Sequence, residues 1–440
     1  MNEAEVESYA AQFRALGHQL VGSAEEADLV LINTCAVTGE AASDSRGKIR
    51  QAARRGKASI IATGCWATLD PTGAANLPNV KWVVDNANKD NLVGVILNME
   101  MSEFDLEPLA RQPLPGIQGR TRSFIKVQDG CDNFCTFCVT RLARGKGRSR
   151  VKEDVLRDVI SAQLGGVEEV VLTGVHLGSW GIDLQPGQHV SQLVRFLLAE
   201  TDIPRIRLSS VEPWDLEMDF WSLWENPRLC RHVHLPLQSG SPTVLQRMGR
   251  KVTPESFSLL VAKARETVDQ MAITTDVIAG FPGETTDEFQ ETMDFIREMN
   301  FAGGHVFTFS PRPGTAAEKL PRTVPMKIRK ERNAILRYLF GELSQGYQKQ
   351  FLGQIMQVLW ESTDSYGPEG WRMHGLTDNY LRVVINSQER LTNQSQLCGW
   401  RSGLPGDWWG NWCPSSFEPQ IPNSNCKEQN GKTKQDGCFR

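Results

Sequence analysis

Six short strand candidates, at 124–127, 169–172, 205–208, 232–235, 273–278 and 305–309, recur through the middle of the chain with room for a helix after nearly every one. The intervening stretches 152–164, 191–200, 254–269, 287–299 and 326–349 carry helix-forming residues in helical apolar periodicity. Parallel strands need crossover connections of this length, so the alternation predicts a parallel sheet with helices packed outside it. Six units fall short of the eight that close a full barrel, and the expectation is a partial (β/α)6 barrel over 121–349. In such barrels the loops after the strands share one rim, and working residues sit there.

Upstream lies a second, smaller α/β pattern. Segment 27–33 runs into Thr34-Cys35, and segment 58–63 runs into Gly64-Cys65. A third strand candidate spans 81–84, and 40–55 reads as helix. Residues 1–105 are therefore expected to form a small parallel α/β domain whose Cys35 and Cys65 meet at the carboxyl rim of the sheet. The Pro- and Gly-containing stretch 106–120 reads as a linker. After the barrel, 354–361 and 380–385 alternate like strands of a small, incomplete β-barrel over 350–393. From 394 to 440 periodicity stops, although Trp400, Trp408, Trp409, Trp412 and four cysteines lie there, and this tail is expected to be aberrant, as after a shifted reading frame.

Net charge is −4, so a nucleic-acid partner would have to meet local basic patches and not a globally cationic surface. The sequence holds no 18-residue apolar run and opens without a basic, apolar leader, which points to the cytoplasm and away from membranes. Ten cysteines without extracellular pairing patterns fit metal ligation in a reducing compartment.

Three of those cysteines, Cys131, Cys135 and Cys138, occupy one loop directly after the first barrel strand. Three thiolates can hold three irons of a cubane cluster and leave the fourth iron open to a ligand, which a closed four-cysteine site cannot do. A zinc knuckle built on Cys135 and Cys138 is the alternative, but no further Cys or His follows before His176. Beyond the loop runs a basic series, Arg141, Arg144, Lys146, Arg148 and Arg150, suited to holding phosphates near the cluster. His176, His232, His234 and His305 read as barrel residues, not ligands.

Several motifs add a resemblance. The triplet with its flanks, Leu172-Thr173-Gly174-Val175-His176, Leu208-Ser209-Ser210-Val211-Glu212-Pro213, His234-Leu235-Pro236-Leu237-Gln238-Ser239 and Thr275-Asp276-Val277-Ile278-Ala279-Gly280-Phe281-Pro282-Gly283-Glu284 are together similar to the methylthiotransferase family of radical S-adenosylmethionine enzymes. The Glu212-Pro213-Trp214 stretch, Phe309-Ser310-Pro311-Arg312-Pro313-Gly314-Thr315 and Gly375-Leu376-Thr377-Asp378-Asn379-Tyr380 resemble the branch acting on threonylcarbamoyladenosine in tRNA.

The resemblance implies a 4Fe–4S cluster on Cys131, Cys135 and Cys138 whose open iron binds S-adenosylmethionine. It places Gly174, Ser209, Glu212, Gln238, Asp276 and Gly280 around that cofactor. A second 4Fe–4S cluster supplies sulfur in the family, and Cys35 and Cys65 match two of its three ligands. The third would precede Asn2, so the sequence is expected to start too far downstream, with the first strand of the sheet missing as well. The 350–393 segment matches the family's RNA-binding TRAM barrel. The expected reaction adds a methylthio group at C2 of threonylcarbamoyladenosine in a tRNA anticodon loop, with electrons from a donor protein. Isopentenyladenosine in tRNA and a ribosomal-protein aspartate are the alternative substrates, and a non-catalytic metal-dependent RNA-binding protein is the alternative of another class.

Overall fold

The computed structural model describes residues 2–99, 121–217 and 219–399. The linker at 106–120 and the tail beyond Gly399 lie outside them. The chain opens with α1 (Asn2–Ala15) and continues through β1 (Leu29–Thr34), α2 (Gly39–Arg55), β2 (Ser59–Gly64) and β3 (Val80–Val84). These strands form a parallel sheet in the order β1-β2-β3. Thr38 caps α2 by accepting from the Ala41 amide, which fixes the turn that follows Cys35.

The barrel begins with β4 (Arg122–Lys126), followed by the short pair β5 (Gln128–Asp129) and β6 (Arg148–Ser149), then β7 (Glu169–Thr173), β8 (Arg205–Leu208), β9 (His232–His234), β10 (Ala272–Ala279) and β11 (Gly303–Thr308). Three strands pair as β4-β7-β8 and three as β9-β10-β11, and a parallel bridge from Ser210 to His234 joins the two sets. The result is an open six-stranded barrel in sequence order. Every residue of β7 and β8 is buried, as parallel strands covered on both faces require. Helices Lys152–Leu164, Val190–Glu200, Pro254–Thr267, Thr286–Met299 and Met326–Lys349 follow the strands, and Thr285 and Glu288 close a capping box at the start of the fourth.

The C-terminal part differs from the sequence expectation in extent. It is an antiparallel sheet of four strands, β12 (Ile355–Gly367), β13 (Gly370–Thr377), β14 (Arg382–Ser387) and β15 (Ser395–Gly399), ordered β14-β13-β12-β15. β12 runs longer than 354–361 through two register shifts, and those irregularities break the alternation that would have marked it. β13 was not anticipated. β15 corrects the boundary at 393, because residues 395–399 pair with Ile355 to Leu359 and bury Cys398 in the core of this sheet.

This sheet closes the base of the barrel, at the starts of the strands. Arg205 and Arg207 both turn toward it, with Arg207 donating to the carbonyls of Asp378 at 2.9 Å and Thr377 at 3.0 Å and Arg205 to that of Leu376 at 3.2 Å. Glu169, fully buried, accepts from Arg207 at 2.7 Å and pairs with Arg205 at 2.8 Å. Burial alone would raise its pKa, but the two guanidiniums bring it down to about 2. Tyr380, at a positive φ of 68°, lays its ring on buried His232 with centroids 4.0 Å apart. Burial and Arg207 hold His232 well below the usual imidazole range, so it stacks as a neutral ring.

Candidate active site

The cysteine triplet sits at the opposite end, in an excursion that leaves the barrel at Asp129 and returns at Arg148. The β5–β6 pair, with Gln128 opposite Ser149 and Asp129 opposite Arg148, clamps its two ends. Gly130 has a φ of +72°, and a Cβ there would lie 1.9 Å from the Lys146 carbonyl, so only glycine lets the outgoing and returning strands approach so closely. Gln128 organises the floor. Its Oε1 accepts from the His176 amide at 2.8 Å, while its Nε2 donates to the carbonyls of Asp129 and Gly130 at 3.0 and 2.9 Å.

The loop is docked on its far side too. Thr136 donates its amide to Met248 O and its hydroxyl to Arg247 O, each at 2.9 Å, and its carbonyl accepts from the Ala317 amide at 2.8 Å. Phe137 meets Phe281 edge-on, with centroids 6.5 Å apart.

Each of the three sulfurs has a donor beside it. The Asn133 amide points at Cys131 Sγ at 3.4 Å, the Thr140 amide at Cys138 Sγ at 3.4 Å, and Arg250 Nη1 lies 3.8 Å from Cys135 Sγ. Burial pushes the Cys135 thiol up, and Arg250 opposes that shift. His176 stands against Asp215 at 2.5 Å and Asn133 at 3.2 Å. Burial disfavours its charged form, yet Asp215 and the Cys131 sulfur prevail and raise its pKa to about 10.

The remaining expected residues line the rim formed by the strand ends. Gly174 follows β7 and packs between Gln128 and Leu177. Ser209 follows β8, and its Oγ is buried with no hydrogen-bond partner. Glu212 pairs with Arg250 at 2.8 Å, and the same guanidinium lies 4.3 Å from the centre of the Trp214 ring. Gln238 adopts a φ of 78°, and its amide donates to Asp276 O at 2.8 Å, while Asp276 itself pairs with His234 at 3.2 Å. Gly280 directly follows β10, and its amide donates to Glu284 at 2.9 Å. Arg250 was missed by sequence reasoning, and only its place after a turn at the mouth could have signalled it.

Two of the five basic residues are tied up by carboxylates of the chain itself. Arg144 corrects the expectation of a phosphate contact: it is buried, with Nε 3.2 Å from Cys65 Sγ and Nη1 2.8 Å from Glu5 and 2.9 Å from Asp129. Its Nη2 reaches Asn2 at 3.2 Å. Lys89, also buried, pairs with Glu5 at 2.6 Å and with Asp129. Arg150 is likewise committed, to Asp158 at 2.6 Å and to Lys126 O at 2.9 Å. Arg141, Lys146 and Arg148 remain at the surface, Arg141 half-buried and the other two exposed.

The Arg144 network joins two domains. Cys65 stands at the end of β2, as expected, and Arg144 sets its sulfur beside the helix that follows the triplet. Cys35 lies at the same rim, its amide donating to Ser45 Oγ at 3.0 Å. Gly39, the first residue of α2, packs on the segment after β11, where an added Cβ would lie 3.1 Å from Ser310 Oγ.

Two family models match the chain, one for the Radical SAM superfamily over residues 125–296 and one for the uncharacterized protein family UPF0004 over residues 1–85. The chain is 34% identical over 402 residues to the threonylcarbamoyladenosine tRNA methylthiotransferase MtaB of Bacillus subtilis, covering 89% of each chain. It belongs to the radical S-adenosylmethionine methylthiotransferases. The MtaB protein of Thermotoga maritima is 37% identical, with 82% of this chain and 84% of that one covered. A tRNA-2-methylthio-N(6)-dimethylallyladenosine synthase of Bacillus mycoides is 33% identical, with 88% and 79% covered.

A radical S-adenosylmethionine methylthiotransferase uses a 4Fe–4S cluster and S-adenosylmethionine, and the triplet fits that group. Each thiol has a hydrogen-bond donor turned to its sulfur, and buried Ser209 Oγ is left for a ligand at the rim. Among the described residues, no three His, Cys, Asp or Glu side chains gather closely enough to hold a single metal ion. No described helix is long and apolar enough to cross a membrane.

Proposed function

We propose that this methylthiotransferase adds a methylthio group to C2 of the adenine of threonylcarbamoyladenosine in tRNA. The observation that carries the reading is the convergence, across Arg144, of the triplet loop and the Cys65 rim. A radical generator alone needs only the first of these. Relatives at 34% and 37% identity named for this activity support the choice of substrate.

When bound, the cluster and S-adenosylmethionine supply the one-electron chemistry that removes the C2 hydrogen, which no side-chain base could do. The chain's own residues do the rest of the work. Cys131, Cys135 and Cys138 hold the cluster, and Asn133, Thr140 and Arg250 steady their sulfurs. Ser209, Glu212, Gln238 and Asp276 line the rim where the cofactor's polar groups would bind, with Gly174 giving close backbone approach. Gly280, directly after β10, would shape the same rim, its amide tied to Glu284. Cys35 and Cys65 would hold a second 4Fe–4S cluster as the site of sulfur delivery. Exposed Lys146 and Arg148, with Arg141, would take phosphates of the anticodon loop, whose bases are already unpaired. The protein would work in the cytoplasm beside a reducing electron-donor protein.

Anaerobic reconstitution with iron and sulfide, followed by reductive cleavage of S-adenosylmethionine, tests the first part. Mass spectrometry of nucleosides from treated tRNA tests the second. A methylthio product on threonylcarbamoyladenosine is the expected result. Product only on dimethylallyladenosine would reassign the substrate, and zinc binding without cleavage would refute the enzyme.

A further inference from the structure

Phe134 is out of place for a large apolar residue. It stands in the triplet loop between Cys131 and Cys135, yet it is 74% exposed. Nothing in the barrel requires this, since the loop is anchored by Gly130, Thr136 and Phe137 instead. The Arg141 guanidinium lies over the ring, 3.9 Å from its centre, and is held there by donating to Asp132 O at 3.2 Å. Lys146 and Arg148 are exposed on the same excursion.

An exposed ring with a fixed arginine on it, flanked by free cations, has the composition of a single-stranded nucleic-acid platform. The open part of the ring offers a stacking surface that accepts any base, and the cations meet the adjoining phosphates. A protein surface would also be drawn to the cations, but it would gain less from a flat, arginine-backed ring. We propose that Phe134 and Arg141 form a stacking subsite for an unpaired RNA base neighbouring the adenosine that enters the mouth. The subsite rests on the tRNA reading above. It fixes the register of the loop: with one base held on Phe134, an adjacent base is the one presented to the cluster.

The test uses the full chain, reconstituted anaerobically, and an anticodon stem-loop RNA carrying 2-aminopurine beside the target adenosine. Binding is measured by anisotropy for wild type, Phe134→Leu and Phe134→Trp, in preparations with equal iron per chain. Leucine keeps apolar bulk and removes the π face, so affinity should fall about ten-fold, whereas tryptophan should restore it. Quenching of 2-aminopurine on binding should be strong with Phe or Trp and weak with Leu. Equal affinity and quenching for wild type and Phe134→Leu would overturn the subsite. So would a Leu variant that binds RNA normally but is reduced more slowly by an acidic flavin-bearing carrier, since the ring would then be a protein contact. Failure of the wild type to bind the RNA at all would instead sink the tRNA reading.

Discussion

Replacing Arg144 by methionine keeps the length of the side chain and deletes its charge. In the native protein Glu5 and Asp129 face Arg144 and Lys89, two carboxylates against two cations, and all four are buried. The two cations hold Glu5 far below the ordinary carboxylate range even though burial works the other way. Arg144→Met leaves two carboxylates against one ammonium, and Lys126, 3.8 Å from Asp129 and partly exposed, offers little relief. Removing one partner of a buried ion pair costs about 3–5 kcal/mol. At about 2–4 °C per kcal/mol for units of this size, the melting temperature should fall by roughly 6–20 °C. Adding Glu5→Gln leaves Asp129 against Lys89 one to one, so the double variant should be more stable than Arg144→Met alone, with a coupling of at least about 1 kcal/mol in a double-mutant cycle. Differential scanning calorimetry of the four proteins decides it. A loss under about 1 kcal/mol, or a double variant no better than the single one, would refute the account of a charge-matched cluster joining the domains.

Arg250→Met removes the donor to Cys135 and the partner of Glu212, and cluster affinity or cofactor cleavage should drop about ten- to a hundred-fold, read from iron per chain and deoxyadenosine formed. Lysine at this position should rescue little, since one ammonium cannot span Cys135, Glu212 and the Pro236 carbonyl. Gly130→Ala should abolish iron loading, because its methyl group would meet the Lys146 carbonyl; normal iron content in the variant would contradict that geometry. Glu169 has a folded pKa near 2 against an ordinary 4.5, so its stabilisation is complete above pH 4.5 and disappears as pH falls toward 2. Hydrogen exchange should show amides 376–381 losing protection in that window, and protection unchanged down to pH 2 would refute the role given to Glu169.

The barrel was legible because its signals are local. The helix 152–164 and the strand 205–208 match the observed elements residue for residue, since strand candidates alternate regularly with stretches of helical periodicity. The triplet stands out for the same reason, three cysteines lying within eight residues. Base closure was not, because Glu169, Arg205 and Tyr380 are far apart in sequence and nothing about an arginine in a strand says that it is paired. Arg144 misled for a related reason: in a run of basic residues a buried one looks like its solvated neighbours. β13 and β15 escaped notice because a bulged antiparallel sheet lacks the regular alternation by which strands are recognised.

The way Tyr380 and the Thr377 and Asp378 carbonyls occupy the barrel floor has a consequence for how the chain is made. Synthesis completes β11, the last barrel strand, well before residue 380 leaves the ribosome. Until then Arg205 and Arg207 have no carbonyls to meet, and the nascent barrel must keep its lower end hydrated. The final closing of the barrel is therefore a late event that waits on the C-terminal sheet, and a chain released before that sheet is complete would present two arginines and a glutamate in a water-filled funnel.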